Sequence, residues 1–157
     1  KYIMIPAHYV PRHLTEKDKK KQKQHLRYTR KMYQKGKYIN RPRLRSYKNR
    51  ASSHVEKAKK MYKIDSIVPS KKLAQKTKCS VKALRKIAKK GRGAYYSSGS
   101  RPNQTAQSWA RARLASALTG GNASIVDMSI LEEGCQKNSK PLRLAKTTKK
   151  RKMKGGG

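Results

Sequence analysis

The sequence predicts a mainly α protein, with a small helical unit at about residues 70–136, a long basic and partly extended N-terminal arm, and a basic C-terminal tail. Three observations predict this. Apolar residues recur at helical spacing between Ser or Thr caps and Gly stops. The apolar fraction is 34%, with no Phe and one Trp, below the roughly 45–50% of ordinary globular chains, so only a small core can form. The charge is large and uneven: 43 Lys and Arg stand against 7 Asp and Glu, a formal net charge of +36 on 157 residues. Self-repulsion on that scale works against a compact state, so a polyanion must offset it.

Between Gly93 and Gln136 the charges balance, Arg101, Arg111 and Arg113 facing Asp127, Glu132 and Glu133. Everything before and after is strongly basic. The expected division is therefore a basic arm over 1–69, a compact helical unit with a glycine-rich loop over 70–136, and a basic tail over 137–157.

Along the arm, Tyr2-Ile3-Met4-Ile5, closed by Pro6, suits an extended segment or edge strand. Leu14-Thr15-Glu16-Lys17-Asp18 reads as a helix start, with Thr15 as N-cap, Asp18 three residues on and Leu14 as apolar staple. The helix should run to about Lys35 and stop at Gly36. Its apolar stripe is thin (Leu26, Thr29, Met32, Tyr33), and Lys19, Lys20, Lys21, Lys23, Arg27 and Arg30 are among the cations covering the rest. Next, Arg41, Arg43 and Arg45 lie on an extended stretch flanked by Tyr38 and Tyr47. This suits phosphate contact with base stacking, or equally a loop whose tyrosines pack on neighbouring helices. Ser53-His54-Val55-Glu56 repeats the capping-box pattern for a short helix to about Tyr62, with Val55, Ala58, Met61 and Tyr62 on one face.

Ser70 should cap a helix from Lys71 to about Thr77, and Ser80 a second from Val81 to Lys90, stopped by Gly91. Cys79 fills the turn between them, and Val81, Leu84, Ile87 and Ala88 face inward. Lys82, Arg85, Lys86 and Lys89 are left outside, where a helix-turn-helix would meet a groove. Lys and Arg without Asn or Gln suit phosphates better than base edges, and a plain structural hairpin fits the same residues. Gly91 to Gln104 reads as a glycine-rich loop without a Walker triplet. Thr105 to Leu118 should be the best-formed helix, with Leu84, Ile87, Trp109, Leu114 and Leu118 as the expected core. Ile125-Val126 and Ile130-Leu131 add apolar residues, and Asp127 is placed to cap a short helix through Glu133.

The run Gly91-Arg92-Gly93-Ala94-Tyr95-Tyr96-Ser97-Ser98-Gly99-Ser100-Arg101-Pro102-Asn103-Gln104-Thr105, followed by Ser108-Trp109, Ala112-Arg113-Leu114-Ala115-Ser116 and Thr119-Gly120-Gly121, resembles an uncharacterised family. Its members are small basic proteins of large double-stranded DNA viruses of algae and protists (chlorovirus-like) and of some tailed phages. The resemblance implies a virion protein, and it carries no catalytic residues.

No enzyme is expected. Seven carboxylates are too few and too scattered for acid–base or metal chemistry, and His8, His13, His25 and His54 all lie in the arm without ligand-spaced companions. No metal, cofactor or small-molecule substrate is implied. Cys79 and Cys135 lack metal-ligand spacing and read as two reduced thiols in an intracellular or intravirion setting. No run approaches the roughly 18 apolar residues that cross a bilayer, and no signal peptide is expected.

The function these features suggest is a structural virion component, a multi-copy minor capsid protein in the capsid interior, made in the host cytoplasm. It would contact coat proteins and an anionic surface, either inner membrane or genome. The alternative is a non-sequence-specific nucleic-acid-binding protein that condenses or packages a genome. Lys149, Lys150, Arg151 and Lys152 in the tail join the arm and helix-pair cations as expected polyanion contacts. The chain opens on Lys1 and closes on Gly155-Gly156-Gly157, and one or both ends are expected to be proteolytic products.

Overall fold

The computed structural model describes residues 5–155, which form eight α-helices and no strand. The helices are α1 (Glu16–Gln34), α2 (Ser53–Tyr62), α3 (Lys71–Thr77), α4 (Val81–Ser97), α5 (Ala106–Leu118), α6 (Asn122–Val126), α7 (Met128–Gly134) and α8 (Lys140–Gly155). Lys1 to Met4 and the last two glycines lie outside the described residues, and with them most of the expected extended start and the ends expected to be processed.

The chain groups into two units whose borders differ from the expected arm, centre and tail. One joins residues 5–50 to 92–109; the other joins 51–91 to 110–155. Charge runs mark what faces water, whereas units are set by which apolar and polar groups meet. Ala58, Tyr62, Ile64 and Ile67, counted with the arm by charge, are buried in the second unit's core, and so are Leu142 and Ala145 of the supposed tail.

In the first unit α1 starts as its sequence dictates. Thr15 Oγ1 accepts the Asp18 N–H at 3.2 Å, and Leu14, Leu26 and Thr29 are buried while Met32 and Tyr33 are half-buried. The capping box closes differently from expectation. Ser46 stands between its two halves: its Oγ accepts the Thr15 N–H at 3.1 Å and donates to Asp18 Oδ2 at 2.5 Å, while the Ser46 N–H reaches the same oxygen at 3.0 Å. Gly36, at φ +79°, ends the helix, with the Lys37 N–H returning to the Met32 carbonyl at 2.9 Å. Gln22 is buried on the core side of α1 and donates to the carbonyls of Tyr9 (3.0 Å) and Ser100 (3.3 Å).

The second unit packs α6 and α7 on α8, and α2 on α3. Its core is the cluster of Ile67, Leu73, Leu84, Ile87, Leu114, Leu118 and Leu131 with smaller neighbours. Leu84, Ile87, Leu114 and Leu118 are fully buried, as the sequence predicts. Trp109 is not among them: it is half-buried, belongs to the first unit, and meets the Tyr9 ring edge-on at 5.9 Å. Val126 is also outside the core and largely exposed.

Serine caps explain the starts of α2, α3 and α4. Ser70 Oγ accepts the Leu73 N–H (3.1 Å), Ser80 Oγ the Ala83 N–H (3.1 Å), and Ser52 rather than Ser53 caps α2, accepting the Val55 N–H at 3.3 Å. The expected stop at Gly91 does not occur; α4 continues to Ser97. Gly91 faces the α5 backbone, where a Cβ would lie 2.8 Å from Ala110 Cα. Its missing side chain permits close helix packing, not a turn. The glycine-rich loop therefore shrinks to the residues between α4 and α5.

Three further expectations give way to longer-range contacts. Cys79 and Cys135 form a disulfide, because the turn after α3 and the end of α7 run side by side: the Ser80 N–H donates to the Gly134 carbonyl and the Gln136 N–H to the Lys78 carbonyl. Asp127 makes no side-chain cap. It is fully buried and accepts from Arg113 Nε (3.0 Å), Arg113 Nη2 (2.8 Å) and Lys90 Nζ (2.6 Å). The tail is a helix whose Pro141, Leu142, Ala145 and Thr148 are buried, and Thr148 Oγ1 donates to the Gly120 carbonyl at 2.7 Å.

Burial alone would raise the Asp127 pKa, but the hydrogen bonds and charges of Arg113 and Lys90 outweigh it and hold the carboxyl below its ordinary value. The stability this contributes is present above the unfolded pKa near 3.9 and is lost as pH falls through the lower folded value. Unfolding free energy from urea melts should be level from pH 7 to about 5 and drop below about pH 4. Asp127→Asn should cost about 3–5 kcal/mol at pH 7 by leaving Lys90 and Arg113 without their counter-charge, and should flatten the acid slope. Equal stability of the wild type at pH 3 and pH 7 would contradict this.

Candidate polyanion interface

Four of the seven acids, Glu16, Asp18, Glu56 and Asp127, are engaged by neighbouring side chains. Among the described residues only Lys19, Lys59, Lys90 and Arg113 meet a carboxylate within 4 Å. The other described Lys and Arg residues have no such partner, and helix geometry sorts them into faces. On α4, Leu84, Ile87 and Ala88 are buried while Lys82, Arg85, Lys86 and Lys89 are exposed, so spacings of three and four residues align four cations outward. On α1, Lys20, Lys21, Lys23 and Arg27 are exposed; Lys19 is half-buried and paired with Glu16 at 3.1 Å. On α8, Lys149, Lys150, Arg151 and Lys152 are exposed, Arg151 Nη2 donating to Thr148 Oγ1 at 3.2 Å and Lys152 Nζ to Asn122 Oδ1.

Two expected contacts are committed elsewhere. Arg30 is half-buried and donates to the Ser98 carbonyl at 2.9 Å. Arg41 is buried: Nη1 donates to the Tyr95 carbonyl (2.9 Å), Nη2 to Ser100 Oγ (2.8 Å), and the guanidinium carbon sits 3.8 Å over the centre of the Tyr95 ring. Its backbone N–H donates to the Tyr95 hydroxyl at 3.0 Å. Arg41 is therefore a structural cation and not a phosphate ligand. Burial pushes its pKa down, yet a guanidinium stays charged in a protein. Arg43 and Arg45, two and four residues on, remain exposed.

The same neighbourhood contains a cluster that sequence reasoning missed. Tyr33 and Tyr96 lie nearly parallel (11°) with ring centres 6.0 Å apart; Tyr38 meets Tyr96 at 5.2 Å and Tyr33 at 5.8 Å. The signal for it was the Tyr95-Tyr96 pair, of which one ring goes inward and the other stays half-buried. Tyr47, by contrast, stacks on His13 at 5.4 Å.

No group of three or more His, Cys, Asp or Glu side chains among the described residues could hold a metal ion. His8 is lowered by burial and Arg101, and His25 by burial, Lys21 and Arg41. No helix of the described residues is long and apolar enough to cross a membrane.

Residues 6–130 match the family of unknown function DUF5824. The chain belongs to that family. The DUF5824 span contains Arg41, the tyrosine cluster and the cationic faces of α1 and α4, whereas Cys135 and α8 lie beyond it. No curated protein and no solved structure matches the sequence.

Because charged hydrogen bonds contribute about 1.5–3 kcal/mol each, Arg41→Ala should destabilise the protein by about 2–4 kcal/mol in chemical denaturation. Under conditions where it is folded, this variant should keep wild-type affinity for duplex DNA. A loss of affinity with unchanged stability would return Arg41 to the interface.

Proposed function

We propose that this protein binds nucleic acid without sequence specificity, through phosphate contacts made by pre-formed cationic helix faces. The observation that carries the reading is the face of α4. Its four cations are exposed, have no carboxylate within 4 Å, and ride on a helix fixed by a buried opposite side. Lys and Arg there offer charge and donors to phosphate oxygens, with no Asn or Gln to read adenine edges. Binding is then driven by release of counterions condensed on the nucleic acid. The exposed cations of α1 and of α8 offer phosphate contacts of the same kind.

The likeness of residues 91–121 to small basic viral proteins supports a second reading, a minor capsid component whose cations lie on packaged genome, coat protein or an inner membrane. Both readings need a polyanion, and the choice between them is a matter of which one is bound.

Affinity for a short duplex, measured by fluorescence anisotropy, should fall by about 10³–10⁵ between 50 and 200 mM salt if about 6–10 phosphates are neutralised. It should be indifferent to sequence. Replacing Lys82, Arg85, Lys86 and Lys89 together with Ala should reduce the log–log salt slope by about 3–4 and leave thermal stability nearly unchanged, since all four side chains are exposed. A flat salt dependence, or tight binding to one sequence alone, would refute the proposal. Binding to phosphatidylserine vesicles but to no nucleic acid would move the partner to a membrane surface.

A further inference from the structure

We propose that Tyr33, Tyr38 and Tyr96 form a stacking platform for unpaired bases, so that the nucleic acid engaged by this part of the chain is single-stranded. The inference rests on the nucleic-acid reading above and specifies its substrate.

Tyr38 keeps 68% of its surface in water, in a chain with few apolar groups to spare for its cores. Its ring nonetheless belongs to an ordered cluster, within 6 Å of the Tyr33 and Tyr96 rings. Both ends of its short segment are fixed. Before it, the Lys37 N–H is tied to the Met32 carbonyl at the end of α1. After it, the Arg41 N–H is tied to the Tyr95 hydroxyl. Behind the cluster, Tyr95 stands edge-on to Tyr96 (5.1 Å, 90°) and carries the Arg41 guanidinium on its ring. The exposed ring is thus pre-positioned, which lowers the ordering cost of binding.

The setting is cationic. Lys35, Lys37 and Arg92 are exposed beside these tyrosines, Arg92 being close enough to act on the Tyr96 hydroxyl. The only acids of this unit, Glu16 and Asp18, are engaged with Lys19 and Ser46. Aromatic faces interleaved with cations suit a single strand: every base has a π-face, and the flanking charges take its phosphates. In a duplex those faces are already stacked, so the platform has nothing to offer it beyond charge.

The test is anisotropy with a labelled dT20 strand, a 20-base-pair duplex, and an abasic deoxyribose-phosphate 20-mer that keeps the phosphates without the bases. The wild-type full chain should hold dT20 more tightly than the abasic strand. Tyr38→Ala should weaken dT20 binding about 5- to 100-fold while changing duplex and abasic binding less than twofold, and Tyr38→Phe should retain it. Circular dichroism melts check that both variants fold; exposure of the side chain makes that the expected result. If wild-type protein binds all three ligands equally and Tyr38→Ala changes none, stacking is refuted while the phosphate reading stands. If Tyr38→Ala weakens all three alike, the ring acts through charge placement or structure, and the platform is again refuted. Failure of wild-type protein to bind any of them refutes both proposals.

Discussion

A buried cation without a carboxylate partner organises the first unit. Moving a guanidinium out of water is costly unless its donors and charge find compensation. Arg41 finds it in one carbonyl, one hydroxyl and one aromatic face, all supplied by residues 95–100. To meet those groups, the segment after α1 must lie against the end of α4 and the loop beyond it. The position of Leu44 follows: its N–H donates to Asn103 Oδ1 at 2.7 Å, and its carbonyl accepts from Asn103 Nδ2 at 3.2 Å. A neutral solution is natural for this chain, because carboxylates are too scarce to spend on every buried charge.

Two of the seven acids, Asp18 and Asp127, are buried where they hold structure together. Asp18 fastens the start of α1 to Ser46, and Asp127 gathers Lys90 and Arg113 in the second unit. Acids used internally cannot neutralise the outer faces. Those two carboxylates are thereby removed from the surface, and α4 shows the result: Lys90 turns to Asp127, while Lys82, Arg85, Lys86 and Lys89 of the same helix have no carboxylate within 4 Å.

Local chemistry was readable in the sequence and distant chemistry was not. Thr15, Ser70 and Ser80 cap helices because each needs only a backbone N–H three residues away, and the inward positions of α4 follow from its period. The outward positions of Lys82, Arg85, Lys86 and Lys89 were legible by the same rule. Gly91 misled because its role depends on Ala110, whose approach no local pattern records. Arg41 misled because an Arg-Pro-Arg stretch looks the same whether its guanidinium meets solvent or Tyr95. Asp127 and the Cys79–Cys135 bond fall in the same class, since a capping position or a lone thiol says nothing about what folds against it. The tyrosine cluster joins α1, the segment after it and α4, so it too exists only after folding.

The bond between Cys79 and Cys135 bears on how α4 begins. A helix start carries partial positive charge, so cations in the first turn are unfavourable there, and Lys82 sits in that turn. Left to local forces, the opening turn of α4 would be prone to fraying where the charges crowd. A covalent link one residue before the Ser80 cap, flanked by backbone hydrogen bonds to Gly134 and from Gln136, clamps that turn from outside the helix. The repulsion that would have unwound it is instead held in place.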